Sequence, residues 1–309
     1  MKTKVTESGP PLFQDLPVQI APPFSFGVSR YPIWTKNKSQ LIDRYLYYFI
    51  LVTKHGSYID GFSGPQRVND SDLWSAKLVM ERQPRWLRTL VLCELSPTKV
   101  RMLEELRNAQ PPRNATKKEP RREIKIIGGD FNANAGAALQ AAQIKDRTAA
   151  FCLLDQRTFE CHWKTIKTIA RFKSVGHKIE LFYFLPIGWL KRAFSGVRDN
   201  AILDRWWGRS DWDELKNLAS PDIASLVCQR FRKEFGYSSV VAWPIRNRRH
   251  RGSIMYYMIH ATDHPAAPKL MGRAYRKAVD PFEPLEQLSL RGILQDEAVG
   301  SDHAGKGNR

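Results

Sequence analysis

The chain has 309 residues, with 49 Lys or Arg against 31 Asp or Glu, a formal charge of +18. At 42% hydrophobic and 11% aromatic it holds the apolar mass for one large domain or two ordinary ones, which excludes disorder over most of its length. No apolar run approaches the ~18 residues of a membrane-spanning helix, and the polar, Pro-containing start lacks the apolar core of a signal peptide, so a cytoplasmic chain with no membrane partner is expected.

The first periodic segment, 39–52, places Leu41, Ile42, Tyr45, Leu46, Phe49 and Ile50 on one helical face. A break at His55-Gly56 leads into a short strand, Ser57-Tyr58-Ile59-Asp60, and then a glycine turn, Gly61-Phe62-Ser63-Gly64-Pro65. Residues 87–95 read as an apolar strand. Ser96-Pro97 then opens a helix to about Asn108, with serine suited to the cap and proline to the first turn. A basic, Pro-containing connection over 110–122 follows. The strand 123–128 ends at Gly129-Asp130-Phe131, and an Ala-rich helix covers 133–144. Residues 148–155 form a buried strand ending in Asp155. A helix holding Trp163, Ile166, Ile169 and Ala170 comes next, then a strand over 178–185 closed by Pro186.

This alternation predicts an α/β fold, a mostly parallel sheet with helices on both faces. The C-terminal third differs. A helix over 223–235 precedes two strands, 238–245 and 253–261, joined by the basic loop Arg246-Asn247-Arg248-Arg249-His250-Arg251-Gly252; this is an antiparallel hairpin. Residues 265–277 are again helical. A parallel sheet finished by such a hairpin is the element order of class I AdoMet-dependent methyltransferases, a Rossmann-like arrangement. The expected organisation is a polar extension over 1–30, one Rossmann-like domain over 31–280 with an insertion at 191–222, and a C-terminal helix and frayed tail over 281–309.

The insertion carries Trp206, Trp207 and Trp212 among arginines. These rings either pack a lid onto the core or stack unpaired bases. The cysteines, Cys93, Cys152, Cys161 and Cys228, form no CxxC pair, so neither a metal site nor a disulfide is expected. The net charge attracts polyanions or only keeps the chain soluble.

Ligands of an open parallel sheet bind at the carboxyl ends of its strands, where strand order reverses. Four polar signals fall at successive strand ends: Asp60 with its glycine loop, Glu94, Asp130-Phe131, and Asp155. In a nucleoside-cofactor pocket, Gly61 and Gly64 would let the backbone approach the ligand. Glu94 would accept from both ribose hydroxyls, Asp130 would take the adenine amine under Phe131, and Asp155 would orient or deprotonate the acceptor. The competing reading is that each acid caps the helix after it. No GxxxxGK[ST] loop, GxGxxG turn or GxSxG elbow occurs, which disfavours P-loop NTPases, dinucleotide dehydrogenases and hydrolases of that type. His260, with Asp263 and His264, is either a metal or acid–base group or a strand-to-helix turn.

The run Tyr58-Ile59-Asp60-Gly61-Phe62-Ser63-Gly64-Pro65 resembles the YIDGFAGPG signature of the three-Cys-motif partner protein family (TcmP). Trp34-Thr35, the run ending at Asp155, residues 184–190, Trp206-Trp207-Gly208 and residues 255–265 match the same family in order. The resemblance implies a Rossmann-type AdoMet methyltransferase fold and a partner protein that bears the three cysteines. Two departures stand out: Gln66 at the third glycine of GPG, and Gln156-Arg157-Thr158 where Pro-Phe-Gly is usual.

The expected function is therefore an AdoMet-dependent methyltransferase acting on or with DNA, RNA or a nucleotide. Asp60, Gly61, Gly64, Glu94, Asp130 and Phe131 would hold S-adenosylmethionine, and Asp155 and His260 would be catalytic. The basic stretches 113–125 and 246–251, including Arg246, Arg248, Arg249 and Arg251, would attract phosphates, with Trp206 and Trp207 as stacking candidates. The alternatives are a non-catalytic binding subunit and a metal-dependent nuclease built on Asp60, Asp155 and the His260 cluster.

Overall fold

The computed structural model describes residues 38–65, 74–114, 119–196, 200–246 and 253–279. Expectations on 1–37 (Trp34-Thr35 among them), Gln66, Arg248, Arg249, Arg251 and 280–309 lie outside the described residues. The strands are β1 (Ser57–Asp60), β2 (Thr89–Glu94), β3 (Glu123–Gly128), β4 (Ala150–Leu154), β5 (Glu180–Leu185), β6 (Ser239–Arg246) and β7 (Ile254–Thr262). They form one sheet in the order β3-β2-β1-β4-β5-β7-β6. The first five are parallel, and β7 runs antiparallel to both β5 and β6. The α/β architecture with a C-terminal antiparallel hairpin is as expected. Among the described residues no helix is long and apolar enough to cross a membrane.

The central strands are buried on both sides, which is why they read as unbroken apolar runs rather than as alternating patterns. Ile59, Val91, Cys93, Cys152, Leu154, Leu181 and Tyr183 point into one core. There they meet α4 (Phe131–Ala141), α5 (Trp163–Ala170), α7 (Asn200–Trp207) and α8 (Ser220–Phe235). Tyr58, Leu90, Leu92, Phe151, Leu153, Phe182 and Phe184 point the other way, onto α1 (Lys38–Thr53), α2 (Ser75–Glu81), α3 (Pro97–Asn108) and α9 (Ala267–Val279). The strand period of two thus divides consecutive residues between two cores. α6 (Ile187–Gly196) follows β5, and a short 3-10 helix, Trp212–Asn217, precedes α8.

Two differences from the sequence expectation have local causes. α4 begins at Phe131, because the Asp130 side chain accepts the Asn132 backbone N–H at 2.9 Å and caps the helix there. α2 was not expected: its seven residues are too few for a periodic signal, and its buried Ala76, Val79 and Met80 hold it in the second core.

One buried polar network ties α1 to the hairpin. Glu180, at the start of β5, accepts from the Tyr45 hydroxyl, pairs with His260 Nε2 at 2.7 Å and lies 3.4 Å from Thr262 Oγ1. Burial, and then the neighbouring Glu180, push the Tyr45 phenol well above its ordinary range. Removing the carboxylate strands buried polar groups on two other elements. Glu180→Ala should lower stability by about 3 kcal/mol in urea unfolding, and Glu180→Gln by clearly less. An alanine variant as stable as the wild type would show that the network contributes nothing.

Candidate functional site at the strand carboxyl ends

β1 lies between β2 and β4, at the reversal of strand order where an open α/β sheet has its ligand crevice. Asp60 is opposite Leu92 on β2 and Leu153 on β4, so Glu94 and Asp155 come two residues further along their strands. The register alone brings three carboxylates to one end of three adjacent strands. Asp60 is the deepest, 1% exposed. It accepts from the Phe62 backbone N–H at 3.0 Å and the Tyr58 hydroxyl at 3.2 Å. Burial pushes its carboxyl up to about 7. The charges of Asp155 and Glu94 push the same way, while the Phe62 and Tyr58 hydrogen bonds oppose.

Asp155 is paired with Lys38, whose ammonium lies 2.6 Å from its Oδ1. Lys38 is itself buried, over the rings of Phe184 (4.8 Å) and Tyr256 (5.4 Å). Sequence reading did not single this lysine out. Its signal was present, since a cation at the first residue of a helix opposes the helix dipole and calls for a carboxylate partner.

Glu94 turns back onto its own chain. One oxygen accepts the Gly64 N–H at 2.8 Å, the other the Ser96 N–H at 2.9 Å. A methyl group at Gly64 would lie 2.0 Å from Glu94 Oε2 and 2.6 Å from Lys99 Cδ. At Gly61 it would lie 2.7 Å from Phe131 Cδ1. The close approaches that require these two glycines are therefore made by the chain's own side chains. Phe131 is 3% exposed and stands edge-on to Phe62 at 5.9 Å, so it covers Gly61 rather than an open hollow. Asp130 realises the capping reading. It lines a separate cavity of about 310 Å³ with Asn132, His162 and Thr165, which Gly61, Gly64 and Glu94 do not line.

Gln156, which departs from the resembled pattern, is fully buried. Its side chain donates to the Phe184 carbonyl at 3.1 Å and accepts the Cys161 N–H at 2.9 Å, fastening the loop after β4 to the end of β5. It is a brace within the protein, not a wall facing a substrate. β6 runs in the direction of β5, since β7 is antiparallel to both, so Arg246 at its end falls on the carboxylate edge of the sheet.

Four residues expected at the site are placed elsewhere. His260 is opposite Phe182 and bonded to Glu180 at the start of β5. Because β7 runs backward, its last residues reach the sheet edge opposite the carboxylates, so His260 is no general base for that crevice. Asp263, expected beside it, instead pairs with Lys178 at 3.1 Å and accepts the Ser238 N–H. Trp206 and Trp207 are 1% and 3% exposed. Trp206 donates to the Tyr183 hydroxyl and Trp207 to Asp211, both at 2.7 Å, and the Arg230 guanidinium lies 4.1 Å from the Trp207 ring centre. They pack the core and present no face to a base.

No protein-family model and no curated protein matches the chain.

The raised Asp60 carboxyl has a stability consequence. The folded protein holds this proton more tightly than the unfolded chain, so Asp60 costs stability as pH rises through the window from 3.8 to about 7. A gap of that size amounts to about 4 kcal/mol above the window. Asp60→Asn should be more stable than wild type at pH 8 and gain nothing at pH 4, read by urea unfolding at both. Parallel pH profiles for the two proteins would contradict the assignment.

Proposed function

We propose that this chain is an AdoMet-binding protein of the class I methyltransferase type, acting on or with a nucleic acid or nucleotide. The observation that carries the reading is the sheet order β3-β2-β1-β4-β5-β7-β6 with Asp60, Glu94 and Asp155 gathered at its switch point. Glu94 suits a ribose: a carboxylate offers acceptor oxygens to both hydroxyls once it releases the Gly64 N–H. The donor and acceptor types fit a nucleoside, but the space in front of Gly61 and Gly64 is filled, so binding requires Glu94 to leave Gly64. When bound, the cofactor would supply an electrophilic methyl. The chain's part would be positioning, with Asp155 fixed by Lys38 on the acceptor side. A separate three-Cys-motif protein is the proposed partner, on the strength of the YIDGF-type motif. The net charge and Arg246, on the same edge, support a nucleic acid. Four free, buried cysteines fit a reducing, cytoplasmic setting.

A second reading, a non-catalytic Rossmann-like binding subunit, is favoured by one specific observation: Phe131 and Glu94 fill the glycine approaches. The nuclease reading loses its site, because His260 sits at the sheet edge opposite Asp60 and Asp155. Among the described residues no group of three or more His, Cys, Asp or Glu is arranged for a metal ion.

Calorimetry with AdoMet on the full chain separates the first two readings. Methyltransferase-type binding predicts a single saturable site, weakened at least tenfold in Glu94→Ala. Folded wild-type protein that takes up no AdoMet would leave the binding-subunit reading in place.

A further inference from the structure

The sheet edge opposite the carboxylates carries a second feature. Arg85, Arg107, Arg113, Arg121 and Arg122 line one cavity of about 360 Å³, against a single carboxylate, Glu119. They come from the segment before β2, the last turn of α3, the loop after it and the residues just before β3. The cavity thus lies at the start of β2 and β3, about 17 Å along a six-residue strand from Glu94.

Arg113 and Arg121 are exposed, but Arg85 and Arg122 are held inward by backbone carbonyls. Arg85 is 9% exposed, and its guanidinium donates to the Pro111 carbonyl at 2.9 Å. Arg122 donates to the Met80 and Val79 carbonyls at 2.7 and 3.0 Å. After those bonds, the buried Nε of each arginine has no acceptor among the described residues, nor does Gln110 Oε1, on the same cavity, have a donor. Burial, and then neighbouring Arg85, lower Arg122 to about 10, so it stays charged at neutral pH. Glu119 offsets one of the five charges and acts on Arg122. One of its oxygens accepts the Asn114 N–H, and its backbone carbonyl accepts from Arg113. Packing like charges this closely costs folding energy, and a buried donor without an acceptor adds to that cost.

An anion with several acceptor oxygens answers the first of these costs, and guanidinium forks match phosphate. The cavity is of small-ligand size. One phosphomonoester carries about −1.5 to −2, so five guanidiniums against one carboxylate suit adjacent phosphates better than a single one. We propose that this pocket is a binding site for a group of two or more clustered phosphates, as on a nucleoside di- or triphosphate or a 5′-triphosphorylated RNA end. It shares no residue with the carboxylate edge, although Arg113, Arg121 and Arg122 come from the basic stretch 113–125 that the methyltransferase reading gives to phosphates.

The test is calorimetry of the full chain with inorganic pyrophosphate at near-physiological salt. Arg107→Ala and Arg121→Ala change side chains with no carbonyl contact among the described residues, and each should weaken binding about tenfold. Arg276→Ala, an exposed arginine on α9, removes equal charge elsewhere and should leave binding within about twofold. Absence of saturable binding by folded protein, or equal losses in all three variants, overturns the proposal. Nucleoside triphosphate and 5′-triphosphorylated RNA distinguish the sources. Equal affinity assigns a free nucleotide, and tighter RNA binding assigns a chain end. RNA that binds equally well with a 5′-hydroxyl makes the cavity a backbone contact and overturns the proposal.

Discussion

Three neighbouring parallel strands ending in carboxylates impose the constraint around which this molecule is arranged. Acids crowded on one edge repel each other, and the deepest sits where water does not reach. The fold answers with position-specific partners. Asp60 is given an N–H and a hydroxyl, Asp155 receives the buried ammonium of Lys38, and Glu94 takes two backbone amides. The first residue of α1 is thereby tied to the fourth strand across the mouth of the crevice. Lys38 must stay buried for this, and the rings of Phe184 and Tyr256 provide the low-polarity seat that strengthens its attraction to Asp155.

The same arrangement explains what the close approaches of the glycine turn serve among the described residues. Gly61 leaves room for Phe131 and Gly64 leaves room for Glu94, so the turn is satisfied internally. A nucleoside would replace contacts that already exist, and its affinity would be net of breaking the Glu94–Gly64 bond. The two basic features lie at opposite edges: Arg246 with the carboxylates, the arginine cavity behind them. A positively charged chain therefore does not present its charge as one undifferentiated surface.

Much of the fold was legible because central parallel strands are apolar on both faces and the longer intervening helices carry a readable apolar period. Pro97 after Ser96 marked the start of α3 correctly. α2 was not legible, being too short for periodicity. For the site, spacing placed Asp60, Glu94 and Asp155 at strand ends, and strand pairing did the rest. Lys38 and the true surroundings of His260 depend on contacts between residues 117 and 80 positions apart, and on the direction of β7, while Gln156 depends on one 28 positions away; no local pattern encodes these. Trp206 and Trp207 show the same limit: aromatic residues among arginines look alike whether the rings stack on a base or, as here, pack inside with Arg230 beside them.

The most direct test of the switch-point site is a crystal structure of the protein with S-adenosylhomocysteine. A nucleoside site predicts the ligand at the carboxyl ends of β1 and β2, its ribose hydroxyls on a Glu94 that has left the Gly64 amide. Glu94 still bonded to Gly64, with the ligand absent or bound at another face of the sheet, would contradict it.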